Sequence, residues 1–567
     1  MSEHTADQPT VGRVIGTEDA TPLEFWVAVA EGQYLQLDDV VALERVLPGG
    51  ELVSMFGMVS QVRARHEGAR FDSDVFLIED GVLPAEVVES AKVAATRFEP
   101  ETFVPPRPGQ AVRRAVGAER DKALFFDRMV ERLPIGLSRS GEPLFVNLEF
   151  LDGRRGAHVN ISGISGVATK TTYATFLLHS IFTSGVLGPR AVNTKALIFN
   201  VKGEDLLFLD RPNAALDGDE AARYALLGLP AEAFASFSVY APPRAGGSVA
   251  APDVTSRTDG AVTSFFWTLE QFCHDDLLPF LFADAEDDRA QYTMVIHNVM
   301  ARLRKAVALD DGAVMLDGTT VRTFADLTQL IQNRVSDPDT AYDWAGPAIG
   351  QGTINAFVRR LLASVRHVDR VIRGDVANAS KHQVALDSQV TVVDIHNLND
   401  RAKRFVVGVT IRRQFEFKER AGQSDELLFL VLDELNKYAP RDGSSPIKEI
   451  LLDVAERGRS LGVILIGAQQ TASEIERRII ANSSIRVVGR LDSAEAARDE
   501  YGFLPSVQRQ RSTIIKPGTM IVSQPEIPVP LVLEFPFPAW ATRASEAVSA
   551  APTGSPSDPF EGLDVDS

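Results

Sequence analysis

The 567-residue sequence has a single cysteine, Cys273, and no long run of hydrophobic residues. One cysteine cannot form an intrachain disulfide, so nothing in the sequence points to an oxidising compartment. The first residues, MSEHTADQPT, lack the basic and apolar regions of a secretory signal. No segment approaches the ~18–20 apolar residues that a membrane span requires. We therefore expect a cytoplasmic protein that does not contact a membrane.

Aromatic residues are also scarce, at 8%, whereas hydrophobic residues reach 45% and charged residues 24%. This composition is typical of a soluble globular protein and excludes a disordered or fibrous chain. Because a single hydrophobic core seldom exceeds roughly 250–300 residues, a chain of this length predicts two or three domains.

Basic residues are fewer than acidic ones: the sequence has 58 Lys and Arg and 77 Asp and Glu, which gives a formal net charge of −19. Contacts to phosphates require clustered Lys and Arg, so this charge disfavours a protein that binds nucleic acid over its whole surface. A local basic path is compatible with this charge, because a ring can be acidic outside while a few cationic groups per subunit line its pore.

The N-terminal part of the chain has short β-type runs separated by Gly, Pro, Asp and Asn. This pattern predicts a small β-barrel over residues 11–104, after a disordered stretch at 1–10. The proline-rich segment EPETFVPPRPGQAVRRA then indicates a linker, and residues 105–155 are assigned to this linker and a lead-in hairpin.

From residue 156 to about 540, short runs of Val, Ile and Leu alternate with helical stretches, as in KALIFNV, VTVVDI, LLFLVLDEL and GVILIGA. Such runs suit strands buried on both faces, and so predict an α/β fold with a parallel sheet. Helical apolar spacing between about 255 and 385 indicates a mainly helical insertion. The small, polar and acidic segment 541–567 is predicted to be disordered.

The segment HVNISGISGVATKTTYATFLL, residues 158–178, combines a strand, a glycine-containing loop and a helix. A phosphate-binding loop needs glycines so that backbone N–H groups can surround an anion, a Lys for the terminal phosphates and a hydroxyl for Mg²⁺. The candidate nucleotide-binding residues are Gly163, Ser165, Gly166, Val167, Ala168, Thr169, Lys170, Thr171 and Thr172.

This loop departs from the usual spacing G-x-x-x-x-G-K-[ST]. Thr169 stands where the last glycine belongs, and the loop is one residue longer than normal if Gly163 is the first glycine. A threonine at that point places a Cβ where backbone normally closes on phosphate. The residues that carry the charge remain, so we expect ATP to bind through an altered, longer turn.

Two acids, Asp433 and Glu434, follow the apolar run LLFLVL. An acid at the carboxyl end of a parallel strand beside a phosphate loop can hold Mg²⁺, and the next acid can polarise the attacking water. Acids in the first turn of a following helix would give the same pattern. The upstream loop favours a site.

A further strand, GVILIGA, ends in Gln469 and Gln470, and the arginines Arg457 and Arg459 precede it on a predicted helix. An amide at the end of this strand could sense a γ-phosphate or orient water. Arginines near a subunit boundary can complete a neighbour's site by neutralising transition-state charge. For either arginine, a solvated helix face is an equally good explanation.

The barrel, the phosphate loop, the helical insertion, the two acids and the glutamines follow one another along the chain as they do in the HerA/FtsK superfamily of ring-forming P-loop DNA translocases. The chain resembles HerA in particular, over roughly residues 10–540. The resemblance implies a RecA-like ATPase core behind a HAS-type barrel, with a C-terminal brace at about 512–540. It assigns Lys170 and Thr171 to the Walker A motif, Thr171 and Asp433 to Mg²⁺, and catalysis to Glu434 with Lys170, Gln469 and Arg459. Glu204 falls on the family's acidic position after the loop, although Asn200 stands where an aspartate is expected.

The resemblance further implies an ATP- and Mg²⁺-dependent homo-oligomeric ring, a hexamer, with double-stranded DNA in its pore. HerA proteins work with a nuclease, typically NurA, in DNA end processing, and bacterial relatives pair with other effectors in phage defence. The chain has no visible nuclease motif, so cutting would come from a partner. Three basic segments near 300–307, 411–420 and 506–516 are candidates for DNA contact, although each could be a salt-bridged helix face.

Two other functions remain open. A ring-shaped scaffold could bind nucleotide, or none, without useful turnover and organise an effector enzyme; Thr169 favours this, and the retention of Lys170, Thr171, Asp433 and Glu434 opposes it. A coupling ATPase for DNA secretion or conjugation is disfavoured, because such motors usually carry membrane helices and none is expected here.

Overall fold

The computed structural model describes residues 9–67, 69, 71–164, 169–246, 251–282, 290–376, 379–422 and 426–548. The chain forms two compact units. Unit 1 comprises Met1–Thr194, Leu226–Leu229 and Ile411–Pro536, and unit 2 comprises Lys195–Ala225, Pro230–Thr410 and Phe537–Ser567.

Unit 1 begins with a closed antiparallel barrel whose strands follow the order β1-β2-β5-β4-β3-β6. Alternate apolar residues of these strands point inward and form the barrel core. The sixth strand lies beyond the predicted limit of residue 104, because its proline-rich surroundings have the composition of a linker. The strands are β1 Thr10–Val14, β2 Glu24–Val29, β3 Val40–Val46, β4 Leu52–Glu67, β5 Glu86–Glu99 and β6 Ala111–Arg114.

Strands β4 and β5 extend past the barrel as a two-stranded arm, whose register continues to the pair Glu67 and Glu86. The short helix α1, Asp74–Glu79, lies near its tip and has no buried residue. Phe71 and Phe76 are exposed there. The tip therefore contributes nothing to the barrel core.

After the barrel come one helix, a hairpin, and the strand and helix that flank the predicted phosphate loop. These elements are α2 Ala118–Ala123, β7 Arg132–Leu137, β8 Pro143–Asn147, β9 Val159–Ser162 and α3 Thr169–Thr183.

Unit 2 contains a parallel sheet in the order β12-β11-β18-β10. Along the chain, helices α5–α9 come between strands β12 and β18, which confirms the helical insertion. The insertion also contains two small sheets, β13-β17 and β14-β15-β16, which were not expected from the sequence. The strands are β10 Lys195–Asn200, β11 Phe237–Ala241, β12 Val262–Ser264, β13 Trp267–Thr268, β14 Val307–Ala308, β15 Val314–Leu316, β16 Thr319–Val321, β17 Ile372–Arg373 and β18 Val390–Asp394. The helices that begin in this unit are α4 Gly218–Leu226, α5 Leu269–His274, α6 Ala290–Leu303, α7 Phe324–Ser336, α8 Pro338–Ala345, α9 Gln351–Val368 and α10 Asp400–Ala421, and α10 continues past residue 410 into unit 1.

The remainder of unit 1 returns to the sheet that contains β9, in the order β19-β20-β9-β21-β22-β23-β7-β8. The first four strands are parallel and every residue of β19, β20 and β9 is buried, as the continuous apolar runs predict. The elements are β19 Leu428–Asp433, α11 Pro446–Leu461, β20 Val463–Gln469, α12 Arg477–Ala481, β21 Ile485–Val488, α13 Ser493–Ala496, α14 Ser506–Arg511, β22 Thr519–Ser523 and β23 Leu531–Glu534.

The predicted α/β fold class, with an N-terminal β-barrel and a helical insertion, is thus confirmed. The predicted brace at 512–540 contains β22 and β23, which extend the sheet with antiparallel strands. None of the helices within the described ranges is long and apolar enough to cross a membrane.

The C-terminal segment 541–567 differs from its prediction at its beginning. Ala541 donates its N–H to the carbonyl of Arg211 at 2.8 Å, and Ala547 forms a β-bridge with Asn213. These backbone hydrogen bonds order residues that composition alone marks as disordered. Residues 549–567 lie outside the described part of the chain, as do residues 1–8 of the stretch 1–10 that was predicted to be disordered; Thr10, at its end, begins β1.

An enclosed ion pair joins the turn before β3 of the barrel to helix α14. Nη1 of Arg511, on α14, donates to both carboxylate oxygens of Asp38, at 2.9 and 2.6 Å, and each side chain is only 12% exposed. Asp38 lies in the turn before β3 with a φ of 73°. Removing one partner of such an enclosed pair leaves the other charge uncompensated.

We expect Asp38→Ala to destabilise unit 1 by about 3 kcal/mol, because Arg511 loses its carboxylate in an enclosed site. The apparent melting temperature should fall by roughly 6–12 °C. Differential scanning calorimetry measures this, with Glu31→Ala, at an exposed acid of the same barrel, as the control. An Asp38→Ala variant with the same melting temperature as the wild type would show that the ion pair does not stabilise the fold.

Candidate nucleotide site

The site begins at the carboxyl end of β9, where the chain leaves the sheet. The N–H of Gly163 donates to the carbonyl of Gln469 at 3.1 Å, and that of Ile164 to the carbonyl of Arg490 at 2.7 Å. The start of the loop is therefore fixed between the ends of its two neighbouring strands. Helix α3 then begins at Thr169.

Lys170 lies in the first turn of α3 and is 5% exposed. Its Nζ donates to the carbonyl of Gly163 at 2.7 Å, so the side chain folds back to the beginning of the loop. Thr172 follows on the same turn and is half-buried. The predicted residues between these ends, namely Ser165, Gly166, Val167 and Ala168, and the side chain of Thr169 lie outside the described part of the chain.

Thr171 meets Asp433, which is 262 positions away in the sequence. The hydroxyl of Thr171 donates to Oδ2 of Asp433 at 3.1 Å, and the N–H of Glu434 donates to Oδ1 at 2.8 Å. Asp433 ends β19 and is buried. A hydroxyl beside a carboxylate at a strand end fits Mg²⁺, which proteins bind through one or two such groups together with water and substrate phosphates.

Glu434 turns out of the strand immediately after Asp433. Its φ of 55° is left-handed, a conformation that strains a residue with a side chain and that clusters at functional sites. Its carboxylate pairs with Nζ of Lys437, at 2.7 Å, in the 3₁₀ turn Leu435–Lys437. Lys437 was not singled out from the sequence, where an exposed lysine after two acids gives no signal.

Gln469 is fully enclosed at the end of β20. Its Nε2 donates to Oδ1 of Asn160 at 2.8 Å and to Oγ of Ser162 at 2.9 Å, both on β9. Oε1 of Gln469 and Nδ2 of Asn160 are buried without a hydrogen-bond partner among the described residues. Gln469 therefore lies beside the loop strand, with its amide hydrogens directed at that strand.

Arg459 lies at the other edge of the sheet. It is near the C-terminus of α11, directly before the amino end of β20, whereas Asp433 and Gln469 are at carboxyl ends. Its Nε and Nη2 donate to the carbonyls of Gly153 and Arg154, at 2.9 and 2.8 Å. The chain's own Arg459 is thus not brought together with the other predicted site residues.

In unit 2, the carboxyl ends of β10 and β18 carry a second polar cluster. Nδ2 of Asn200 donates to Oδ1 of Asp394 at 2.9 Å, and Nδ1 of His396 lies 2.9 Å from both oxygens of that carboxylate. The hydrogen bond to Asp394 raises the pKa of His396. Burial raises the pKa of Asp394, and His396 partly offsets this. The run VTVVD, an apolar strand that ends in an acid, was the available signal for Asp394.

Glu204, which the HerA resemblance places at an acidic position after the loop, binds the backbone in the same unit. Its carboxylate accepts from N and Oγ1 of Thr255, at 2.6 and 2.7 Å, and from N of Ser256 at 2.5 Å. Burial opposes its ionisation, but the hydrogen bonds from Ser256 and Thr255 outweigh burial and lower the pKa of Glu204 to about 2. Its carboxylate acts as a cap for this turn.

Comparison with known proteins gives structural matches only. No protein-family model and no curated protein matches the sequence. VirB4 of Thermoanaerobacter pseudethanolicus is 15% identical, over 72% of this chain and 96% of that chain, with a TM-score of 0.44. The bacterial conjugative coupling protein TrwBdeltaN70 is 10% identical, over 74% of this chain and 92% of that chain, with a TM-score of 0.44. The genome packaging NTPase B204 from Sulfolobus turreted icosahedral virus 2 is 11% identical, over 26% of this chain and 69% of that chain, with a TM-score of 0.20. At these scores and identities, none of the three structures supports a functional assignment.

The ion pair of His396 with Asp394 should make stability depend on pH. Because the folded pKa of His396 is raised above its ordinary value of 6.5, the pair stabilises the fold fully below pH 6.5 and loses this contribution as the pH rises through the folded pKa. The melting temperature of wild type minus that of His396→Gln should therefore be largest near pH 6 and shrink toward pH 9. His297→Gln, at an exposed histidine of α6, is the control; a difference that does not change with pH would contradict the assignment.

Proposed function

We propose that the protein is an ATP-hydrolysing, ring-forming translocase that acts on double-stranded DNA. The observation that carries the ATPase part is the hydrogen bond of 3.1 Å between Thr171 and Asp433, which joins the start of the loop helix to the acid at the end of β19. Together with Lys170 in the same turn, this pair has the groups that hold a nucleoside triphosphate and its Mg²⁺.

Each residue has a distinct role in this proposal. The N-terminus of α3 and Lys170 bind the phosphates, because backbone N–H groups and an ammonium favour anions. Thr171 and Asp433 would hold Mg²⁺, which neutralises phosphate charge when bound. Glu434 accepts a proton from the attacking water, and its ion pair with Lys437 must loosen for it to do so.

The ring and the DNA rest on the resemblance in motif order to HerA-type translocases, with a partner nuclease or another effector in end processing or phage defence. The basic segments give limited support: Arg302 pairs with Asp343 at 3.1 Å, Arg304 with Asp276 at 2.6 Å, and Arg511 with Asp38. A pore would thus need cations other than these three.

A second candidate is a nucleotide-binding scaffold that organises an effector without turnover. The engagement of two key groups within the chain favours it, since Nζ of Lys170 binds the carbonyl of Gly163 and the carboxylate of Glu434 binds Lys437. Thr169 at the place of a glycine adds to this. Only turnover distinguishes the two candidates.

The purified protein should hydrolyse ATP, faster with linear duplex DNA. Glu434→Gln should lower kcat at least about 100-fold, because the water loses its base, and Lys170→Ala should abolish ATP binding. Asp442→Asn, at an exposed acid beyond the site, is the matched control and should retain activity. Intact oligomers without turnover in any condition would favour the scaffold, and a Glu434→Gln variant with wild-type turnover would remove that residue as the base.

If Arg459 acts across a subunit boundary, two inactive variants should complement each other. Arg459→Ala has an intact site but lacks the arginine for its neighbour, and Glu434→Gln has the reverse defect. Mixing them and reassembling the oligomers should restore part of the ATPase activity, because some boundaries then combine an intact site with an intact arginine. Mixtures that stay inactive, while wild type mixed with wild type remains active, would exclude this role for Arg459.

A further inference from the structure

Helix α9, in the helical insertion of unit 2, has no acidic residue. Its sequence, QGTINAFVRRLLASVRHV, contains three arginines and neither Asp nor Glu. Roughly one residue in seven of the whole chain is acidic, so about two or three acids would be expected in a helix of 18 residues. Within a chain of net charge −19, α9 is therefore a local concentration of positive charge.

The helix buries one side and exposes the other. It packs against α6 and α7, and its buried residues recur at helical spacing: Ile354, Phe357, Leu361, Ser364 and Val368. Its exposed residues follow the same spacing on the opposite side: Gln351, Gly352, Asn355, Arg359, Leu362 and Arg366. Because the apolar side is already covered, α9 presents its polar, cationic side to a partner.

Arg359 lies in the middle of this exposed side. Its guanidinium makes no hydrogen bond or ion pair with any residue in the described ranges. By contrast, the arginines near residues 300–307 are held by acids, in the pairs Arg302–Asp343 and Arg304–Asp276. Attraction to the negative end of the helix dipole explains cations only in the last turn, and Arg359 lies more than two turns before the end of α9.

Arg366 lies seven residues after Arg359, on the same side and about 10 Å further along the helix axis. Its Nε donates to Nε2 of His367 at 3.3 Å, and it forms no ion pair within the part of the chain that the structure describes. Burial lowers the pKa of His367, and the charges of Arg366 and Arg401 lower it further, whereas Asp369 opposes them. Cations from α9 and from the start of α10 therefore gather at this end of the surface.

Exposed arginines without acidic partners suit a polyanion whose charges are closely spaced. Duplex DNA carries one phosphate charge per ~1.7 Å of its axis, so two guanidinium groups about 10 Å apart on one face can each reach a phosphate. Asn and Gln side chains also bind phosphates, and Asn355 and Gln351 lie on the same side of α9. An anionic membrane fits less well, because a helix that lies on a membrane inserts its apolar side, and that side of α9 is buried.

We propose that Arg359 and Arg366, on the exposed side of α9, contact the phosphate backbone of double-stranded DNA. This inference rests on the proposed function, because it names the surface at which the chain would hold its DNA. Contacts of this kind position a duplex without reading its sequence. When the arginines are lost, affinity for every duplex should fall, and binding should depend less steeply on salt.

The test measures binding of a labelled linear duplex to the full-length protein by fluorescence anisotropy, with a non-hydrolysable ATP analogue, over a range of salt concentrations. Each phosphate contact contributes about 0.9 to the steepness of log affinity against log salt. The double variant Arg359→Gln/Arg366→Gln should therefore lower this steepness by about 2 and weaken binding at least about 10-fold near 0.1 M salt, equally for duplexes of unrelated sequence. ATP turnover without DNA, affinity for the analogue and melting temperature should not change, because neither arginine belongs to the nucleotide site.

The matched control is Arg304→Gln/Arg322→Gln, which removes the same formal charge from exposed arginines of the insertion that are already paired with acids. This control should keep the affinity and the salt dependence of the wild type. The variant Arg359→Lys/Arg366→Lys should retain DNA binding, because an ammonium group also binds phosphate.

A control variant that loses as much affinity as the glutamine double variant overturns the inference, since the effect would then follow net charge. Loss of binding to phosphatidylserine vesicles with unchanged DNA binding overturns it in favour of a membrane surface. Wild-type protein that hydrolyses ATP but binds no duplex at any salt concentration overturns the DNA part of the proposed function and this inference with it. Wild-type DNA binding that the glutamine double variant fully retains overturns this inference alone.

Discussion

The parallel register of β19, β20 and β9 is the constraint on which the candidate site depends. Leu428 to Asp433 pair residue by residue with Val463 to Ala468, and β20 pairs in the same direction with β9. Because carboxyl ends of parallel strands meet at one edge, the acid of β19 and the amide of β20 are brought together there with a loop that lies more than 250 positions earlier in the sequence. All three strands are buried along their whole length.

Unit 2 repeats the same construction with different polar groups. Asn200, at the place where an aspartate was expected, ends β10, and the neighbouring strand β18 ends in Asp394. The amide donates to this carboxylate, which also binds His396. The negative charge is therefore present at the strand ends but on the adjacent strand, and a buried carboxylate of this kind needs its two partners to remain ionised.

The sequence predicted elements better than it predicted contacts. Apolar runs that end in polar residues located β9, β19 and β20, and with them Lys170, Thr171 and Asp433. Such runs do not show which face of a sheet a residue occupies, since that depends on the register with a neighbouring strand. The side of Gln469, the closing strand β6 and the capping role of Glu204 all depend on partners distant in sequence, which no local pattern identifies.

The position of Arg459 has a consequence for assembly. Strand β20 is seven residues long, roughly 20 Å, and it separates Arg459 at its amino end from Gln469 at its carboxyl end. An arginine that stabilises charge on a phosphate must touch it, so Arg459 cannot serve the site of its own chain. Its two hydrogen bonds to backbone carbonyls orient the guanidinium and leave other N–H groups for a further partner. If this arginine has a catalytic role, the second subunit is part of the site, and hydrolysis then depends on how the chains assemble.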